Sequence, residues 1–262
     1  MNLDLTNKTA LVCGASQGLG YATATELAVL GANIVLVSRS ANKLTTAVAN
    51  LPVNGGQQHH YIAVDLLDGA AVQQVVQQFL SNVQTIHILV NNSGGPAAGP
   101  MAETDAAELQ NAFGTHLVTS HLLVQLLLPG MRKAGYGRII NILSTSVKQP
   151  INGLGISNTV RAAVANWAKT LANEIGFGGI TVNNVLPGYT DTDRLAYLFD
   201  KQAETQGVTR QTVLDRVLDS IPAKRLGQPH EFGAAVAFLC SPAAAYINGI
   251  NLPVDGGRTG CL

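Results

Sequence analysis

Between residues 9 and 31 the chain passes from an apolar run through a glycine-rich turn into a helical pattern, and this succession constrains the fold more than any other stretch. Thr9-Ala10-Leu11-Val12 has the length and composition of a buried parallel strand. Cys13-Gly14-Ala15-Ser16-Gln17-Gly18-Leu19-Gly20 follows it; Tyr21 to Leu30 then carries apolar residues spaced for one helical face, and Gly31 can close the helix. A strand, a glycine turn and a helix start present backbone N–H groups and a positive helix end to a phosphate. Gly14 allows the tight turn, Gly18 a close approach to a pyrophosphate, and Gly20 close helix–strand packing, with Ser16, Gln17 and Leu19 on the same turn. The spacing is Gly-x-x-x-Gly-x-Gly, not Gly-x-Gly-x-x-Gly, and no Lys-Ser/Thr follows to make a P-loop.

The alternation continues along the chain. Further strands are expected at Ile34–Val37, Tyr61–Val64, Ile86–Val90, Arg138–Leu143, Ile180–Leu186 and Ile250–Val254. Helices are expected at about Ala41–Asn50, Val72–Leu80, Ala102–Ala112, Leu117–Ala134, Val160–Ile175 and Glu231–Leu239, with a polar, helical-looking segment over Thr190–Ser220. This predicts an α/β fold: one domain over residues 1–262 with a doubly wound parallel sheet of about seven strands and helices on both faces. Ligands in such sheets sit beyond the carboxyl ends of the strands.

Sixteen basic and sixteen acidic residues cancel, which argues against a nucleic-acid or membrane surface. Met1 to Lys8 is polar and lacks a signal-peptide core, and no uninterrupted apolar stretch reaches the roughly 20 residues of a membrane span. Cys13, Cys240 and Cys261 are scattered and odd in number, so neither a disulfide framework nor a thiolate metal site is indicated. No metal site is expected, since His59 and His60 are adjacent and His116 and His121 are five apart. No Gly-x-Ser-x-Gly elbow supports a hydrolase. A soluble cytoplasmic protein is the expectation.

The glycine spacing resembles the fingerprint of the short-chain dehydrogenase/reductases, and other strand ends add to the likeness. Asn91-Asn92-Ser93-Gly94-Gly95 resembles that family's Asn-Asn-Ala-Gly, with Ser93 in place of alanine. Pro187-Gly188-Tyr189-Thr190-Asp191-Thr192 is similar to its Pro-Gly segment beside the nicotinamide, where Thr190 or Thr192 bonds the carboxamide or the phosphates. Pro253-Val254-Asp255-Gly256-Gly257 is similar to its closing strand and turn. The resemblance implies a Rossmann fold, hydride transfer and a dinucleotide held by the glycine turn, Asn91, Ser93, Gly94, Pro187, Gly188, Thr190 and Thr192. It also places Asp65, followed by Leu66, beside the adenine ring. After the second strand comes Ser38-Arg39-Ser40, where an acidic residue would bind the 2′-hydroxyl of NAD. Arg39 is a planar cation suited to a 2′-phosphate, so NADP(H) is expected over NAD(H).

The likeness breaks where the chemistry belongs. Typical members end the fifth strand in a serine and carry Tyr-x-x-x-Lys on the next helix. Ser144 stands at the serine place, but counting back from Trp167–Glu174 puts Ser157 at the tyrosine and Arg161 at the lysine; the nearest tyrosines are Tyr136 and Tyr189, at other strand ends. A tyrosine starts near pKa 10 and can be tuned downward by a cation, whereas a serine hydroxyl is a far weaker acid and arginine stays protonated. Arg161 can still hold the nicotinamide ribose. Lys148, four residues after Ser144, is the candidate proton donor, partly desolvated beside Arg161, with a water relay as the alternative. His116 falls near the family's helical asparagine, with Asn111 a turn earlier. A substrate lid is expected over about 190–222, where Leu195, Tyr197, Leu198 and Phe199 form either a face for an acyl-like substrate or lid core.

The expectation is a divergent NADP(H)-dependent oxidoreductase, similar to 3-oxoacyl-acyl-carrier-protein reductases, acting on a small carbonyl or acyl substrate. The alternative is a catalytically impaired dinucleotide-binding protein, serving as sensor or assembly subunit. Family resemblance further implies a homotetramer built on the leucine-rich helix, the Val160–Ile175 helix and the last strand.

Overall fold

The computed structural model describes residues 1–82 and 85–261. Strands β1 (Thr9–Cys13), β2 (Asn33–Ser38), β3 (His60–Ala63), β4 (Ile88–Asn91), β5 (Gly137–Ile142), β6 (Ile180–Pro187) and β7 (Asn251–Val254) form one parallel sheet. Its order is β3-β2-β1-β4-β5-β6-β7, so the winding reverses between β1 and β4. That reversal opens a crevice beyond the strand ends, where such sheets bind ligands. The doubly wound α/β fold is as expected.

Strand periodicity sorts the apolar side chains between two layers. Ala10 and Val12 of β1 join one core with Leu27 of α1 (Gly18–Val29), Leu44 of α2 (Ala41–Ala49) and Phe232 of α9 (Pro229–Cys240). Leu11 and Cys13 face the other way, towards Val72 of α3 (Gly69–Asn82), Leu123 of α5 (Thr119–Ala134) and Ala168 of α6 (Gly155–Ile175). Both faces of the sheet are therefore covered, as a fully parallel sheet requires.

Three boundaries differ from expectation. The helix α4 (Ala106–Phe113) runs through a π-helical turn, Gly114–Val118, into α5, so residues 106–134 form one helical path where two separate helices were expected. At 29 residues and a mean hydropathy of 1.2 over its most apolar window, this path is long and apolar enough to cross a membrane by length and composition alone, though polar residues interrupt it. In the fold it packs against α3, α6 and β5. Helix α6 starts at Gly155, not Val160, and so carries both Ser157 and Arg161. A Cβ at Gly155 would stand 2.8 Å from the backbone of Met101, so close packing requires a glycine at that start. The segment 190–220 divides into α7 (Asp193–Gln206) and α8 (Arg210–Asp219), separated at Gly207, whose φ is 63°. Phe199 is buried in their shared core, with Leu195 partly buried against it, whereas Tyr197 and Leu198 are exposed.

Four asparagines in register tie the second half of the sheet together. Asn91 Nδ2 donates to Asn141 Oδ1 at 2.9 Å, Asn141 to Asn184 at 2.8 Å, and Asn184 to Asn251 at 2.8 Å. They occupy paired positions on β4, β5, β6 and β7. Asn141 is fully buried, so leucine there would strand the amide of Asn91 and the carbonyl of Asn184. Asn141→Leu is expected to cost about 2–4 kcal/mol in urea unfolding; an unchanged midpoint would show that the ladder contributes nothing to stability.

Candidate functional site

The glycine turn is built by close contacts. Gly14 has φ of 58°, and a Cβ there would lie 2.7 Å from Asn92 Nδ2; at Gly20 it would collide with the Gly14 carbonyl. Gly18 has φ of 62° and open space beside it. Helix α1 begins there without a side-chain cap and without an acid in its first turn, which leaves backbone N–H groups for an anion. Asn92, which the sequence reading left out of the binding set, donates to the carbonyls of Cys13 and Gly14 at 3.3 and 3.2 Å. It braces the turn from β4.

At the end of β2, Ser38 Oγ is buried without a partner. Arg39 is largely exposed and lies 4.0 Å from Asp65, a loose pair that leaves its donors free; Leu66 follows Asp65 and is partly buried. Lys43 adds a second cation at this corner, reaching Gln17 Oε1 at 3.1 Å. Ser16, Asn42, Lys43 and Thr46 line an open groove of about 490 Å³. Nothing in the residue pattern singled out Lys43; only the docking of α2 against the turn brings it there.

The ends of β4, β5 and β6 converge on a second polar corner. Ser144 caps the short 3₁₀ turn Thr145–Val147, its Oγ accepting from Ser146 N at 3.1 Å. Arg161 is buried to 9% exposure. Its Nε donates to Ser157 Oγ at 3.1 Å and its Nη1 to the carbonyls of Ile142 and Leu143 at 3.2 and 2.7 Å. Ser93 Oγ and His116 Nδ1 are 2.8 Å apart. Asn91, Ser93, His116 and Asn141 line a small cavity of about 20 Å³, room for about one water. Asn91 Oδ1, the open end of the ladder, has no protein partner.

Gly94 meets nothing within 4 Å, as expected for backbone exposed to a cleft. Pro187 ends β6. Gly188 is glycine for a different reason: a Cβ there would stand 2.6 Å from Asp255 at the end of β7. Thr190 is buried and bridges to Gly227, while Thr192 caps α7. Lys148 is half-buried beside the 3₁₀ turn, and the charge that acts on Arg161 is that of Arg194.

Burial, and then the charge of Arg194, lower Arg161 to about 10. Burial, then the charge of Arg161, lower His116 to about 4 against an opposing hydrogen bond to the Gly94 backbone. His116 is therefore neutral at pH 7. Cys13, fully desolvated, is pushed up to about 12 and is an inert thiol.

A glycine cradle that any Cβ would fill, an uncapped helix start, an orphaned serine hydroxyl and a polar corner two strands away together define a dinucleotide-type α/β site. The residues present fit a nicotinamide dinucleotide. A family model described as enoyl-(acyl carrier protein) reductase matches residues 14–259. The 3-oxoacyl-acyl-carrier-protein reductase FabG of Vibrio cholerae is 34% identical over 257 residues, covering 97% of this chain and 98% of its own. Among solved structures, the L-sorbose reductase of Gluconobacter frateurii complexed with NADPH and L-sorbose has a TM-score of 0.94 at 32% identity, over 100% of both chains. YwfH, an NADPH dependent reductase involved in bacilysin biosynthesis, has a TM-score of 0.91 at 27% identity, over 98% of this chain and 100% of its own. The chain belongs to the short-chain dehydrogenase/reductase family of oxidoreductases.

The two depressed imidazoles give the fold an acid sensitivity. His87 is also lowered to about 4, by burial and then by Lys8. Below about pH 6.5 an unfolded chain protonates these groups, whereas the folded chain resists until about pH 4. Their contribution to stability therefore falls as pH drops from about 6.5 towards 4. His116→Gln is expected to flatten the pH dependence of the urea midpoint over that window; a slope equal to that of the parent would contradict the assignment.

Proposed function

We propose that this chain is an NADP(H)-dependent oxidoreductase that interconverts a carbonyl and an alcohol, with 3-oxoacyl-like compounds as the first substrate class to test. The observation that carries the reading is the cradle at the β1–α1 turn, where Gly14 and Gly20 leave no room for a Cβ and α1 starts without a side-chain cap, with Ser144 held at the end of β5 by Ser146 N. NADPH in the L-sorbose reductase complex supports the cofactor class.

In this reading Gly14, Ser16, Gln17, Gly18, Leu19 and Gly20 hold the pyrophosphate. Ser38, Arg39 and Lys43 receive the 2′-phosphate, and Asp65 with Leu66 borders the adenine. Asn91, Ser93, Gly94, Pro187, Gly188, Thr190 and Thr192 shape the nicotinamide half. When bound, the nicotinamide supplies or accepts a hydride. Ser144 orients the substrate oxygen with its free O–H. Ser157 and Arg161 take the places of the usual tyrosine and lysine. Arg161 cannot pass a proton near neutral pH, so it holds the ribose hydroxyls and steadies developing negative charge. Lys148, directly or through water, delivers the proton. Helices α7 and α8 act as the lid of a single domain. A cytoplasmic homotetramer through α5, α6 and β7 completes the proposal.

One observation favours the second reading, a dinucleotide-binding sensor or assembly subunit with little turnover. The Ser157 hydroxyl is engaged by Arg161, and among the described residues the two tyrosines nearest in sequence are occupied elsewhere: Tyr136 donates to the Cys240 carbonyl, and Tyr189 packs on Phe199 under Arg258.

Cofactor fluorescence during titration, followed by NADPH oxidation with 3-oxoacyl thioesters and simple ketones, separates the readings. Turnover supports the enzyme; bound NADPH that no substrate consumes supports the sensor; no NADPH binding removes both. Arg39→Ala is expected to reduce the preference for NADPH over NADH about tenfold or more in the same titration. Lys148→Ala is expected to lower kcat by about 10²–10⁴ with NADPH affinity retained. Full activity in that variant would remove Lys148 as the acid and leave a water relay in its place.

A further inference from the structure

Gly95, just beyond the end of β4, lies between two guanidinium groups. A Cβ there would stand 3.1 Å from Arg194 Nη2 and 3.7 Å from Arg161 Nη2. Arg194 comes from the first turn of α7 and reaches across to donate to the Gly95 carbonyl at 3.3 Å. The two cations therefore converge on one spot beside Gly95, one from α6 and one from α7.

What this pair lacks is a counter-charge. Among the described residues neither Arg161 nor Arg194 forms an ion pair with a carboxylate. Arg161 spends Nε and Nη1 on Ser157 and the carbonyls of Ile142 and Leu143, while among the described residues no acceptor is recorded for Nη2, which lies near Gly95. Burying a cation costs free energy unless it is paired and hydrogen-bonded, and a second cation beside it adds to the cost. The neighbouring imidazole, His116, is held neutral first by burial and then by the charge of Arg161, and supplies no counter-charge. An oxyanion would offset the repulsion and satisfy the free fork donors of both arginines.

We propose that Arg161 and Arg194 form a clamp over Gly95 for an oxyanion, a carboxylate or phosphate, carried by the substrate, so that the substrate is an anionic carbonyl or hydroxy compound. The position favours substrate over cofactor phosphate as the source. The clamp lies at the ends of β4, β5 and β6, whereas the glycine cradle lies at the β1–α1 turn on the far side of β4. Glycine at 95 keeps the space between the two forks clear. The proposal deepens the oxidoreductase reading, resting on it for the reaction at this corner, but the anion site can be tested without turnover.

The test uses the full chain and two probes, malonate and inorganic phosphate, at constant ionic strength held with chloride. Binding is read as thermal stabilisation and by calorimetry, with and without saturating NADP⁺. The expected result is that one or both probes bind, that binding persists with NADP⁺ present, and that Arg194→Gln weakens it about ten- to a hundredfold. Arg194 is exposed, so this variant leaves the core intact, unlike a change at Arg161. The same variant is expected to leave NADPH affinity by fluorescence unchanged. Equal probe binding in parent and variant, or none in either, overturns the clamp. Loss of probe binding on adding NADP⁺, with weaker NADPH binding in Arg194→Gln, assigns the pair to a cofactor phosphate and overturns the substrate role. Failure of NADPH to bind the parent would instead count against the oxidoreductase reading, while malonate binding that depends on Arg194 would still stand.

Discussion

The asparagine ladder across β4 to β7 fixes the register on which the polar corner depends. A parallel strand slipped by one residue turns every side chain to the opposite face. Amides from Asn91, Asn141, Asn184 and Asn251 bond only when the four strands are aligned as they are. The alignment decides where β4, β5 and β6 release their chains, and so where Ser93, Ser144 and Thr190 lie. The ladder's open end, Asn91 Oδ1, faces the same small cavity as His116 and Ser93, so sheet register and site polarity are joined through one side chain.

Upon that frame the chain sets two cations, Arg161 and Arg194, beside the ends of β4 and β5. Here Arg161 sits against strand carbonyls and a serine hydroxyl, none of which titrates near neutrality. Its charge acts instead on its surroundings, helping to hold His116 neutral while sharing the cleft with Arg194. The corner is therefore better suited to gripping and orienting negative charge than to passing protons.

The sequence made local geometry legible and left convergence illegible. Gly14, Gly18 and Gly20 were readable because positive φ and backbone contact leave glycine as the residue that fits. The strand ends at Asn91 and Pro187 were readable because the apolar runs stop there. The start of α6 was not, since Ser157, Asn158 and Thr159 are weak helix formers; the packing of Gly155 on Met101 overrides that propensity. The π turn at Gly114–Val118 also escaped a reading based on regular 3.6-residue spacing, although it carries His116. Gly188 looked like part of a binding segment, yet its small size is also required by Asp255, far along the chain.

Arg194 shows the limit most clearly. In sequence it is one polar residue in a polar segment, flanked by Asp193 and two residues beyond Thr192, and by composition it belongs on a solvated helix face. Its place over Gly95 follows from three separate facts: the length of β6, the cap that starts α7 at Thr192, and the glycine that leaves room after β4. None of these is a property of Arg194 itself. A charge that looks generic where it is encoded becomes specific through what the fold sets opposite it. In this cleft that is another arginine, and among the described residues no carboxylate pairs with either.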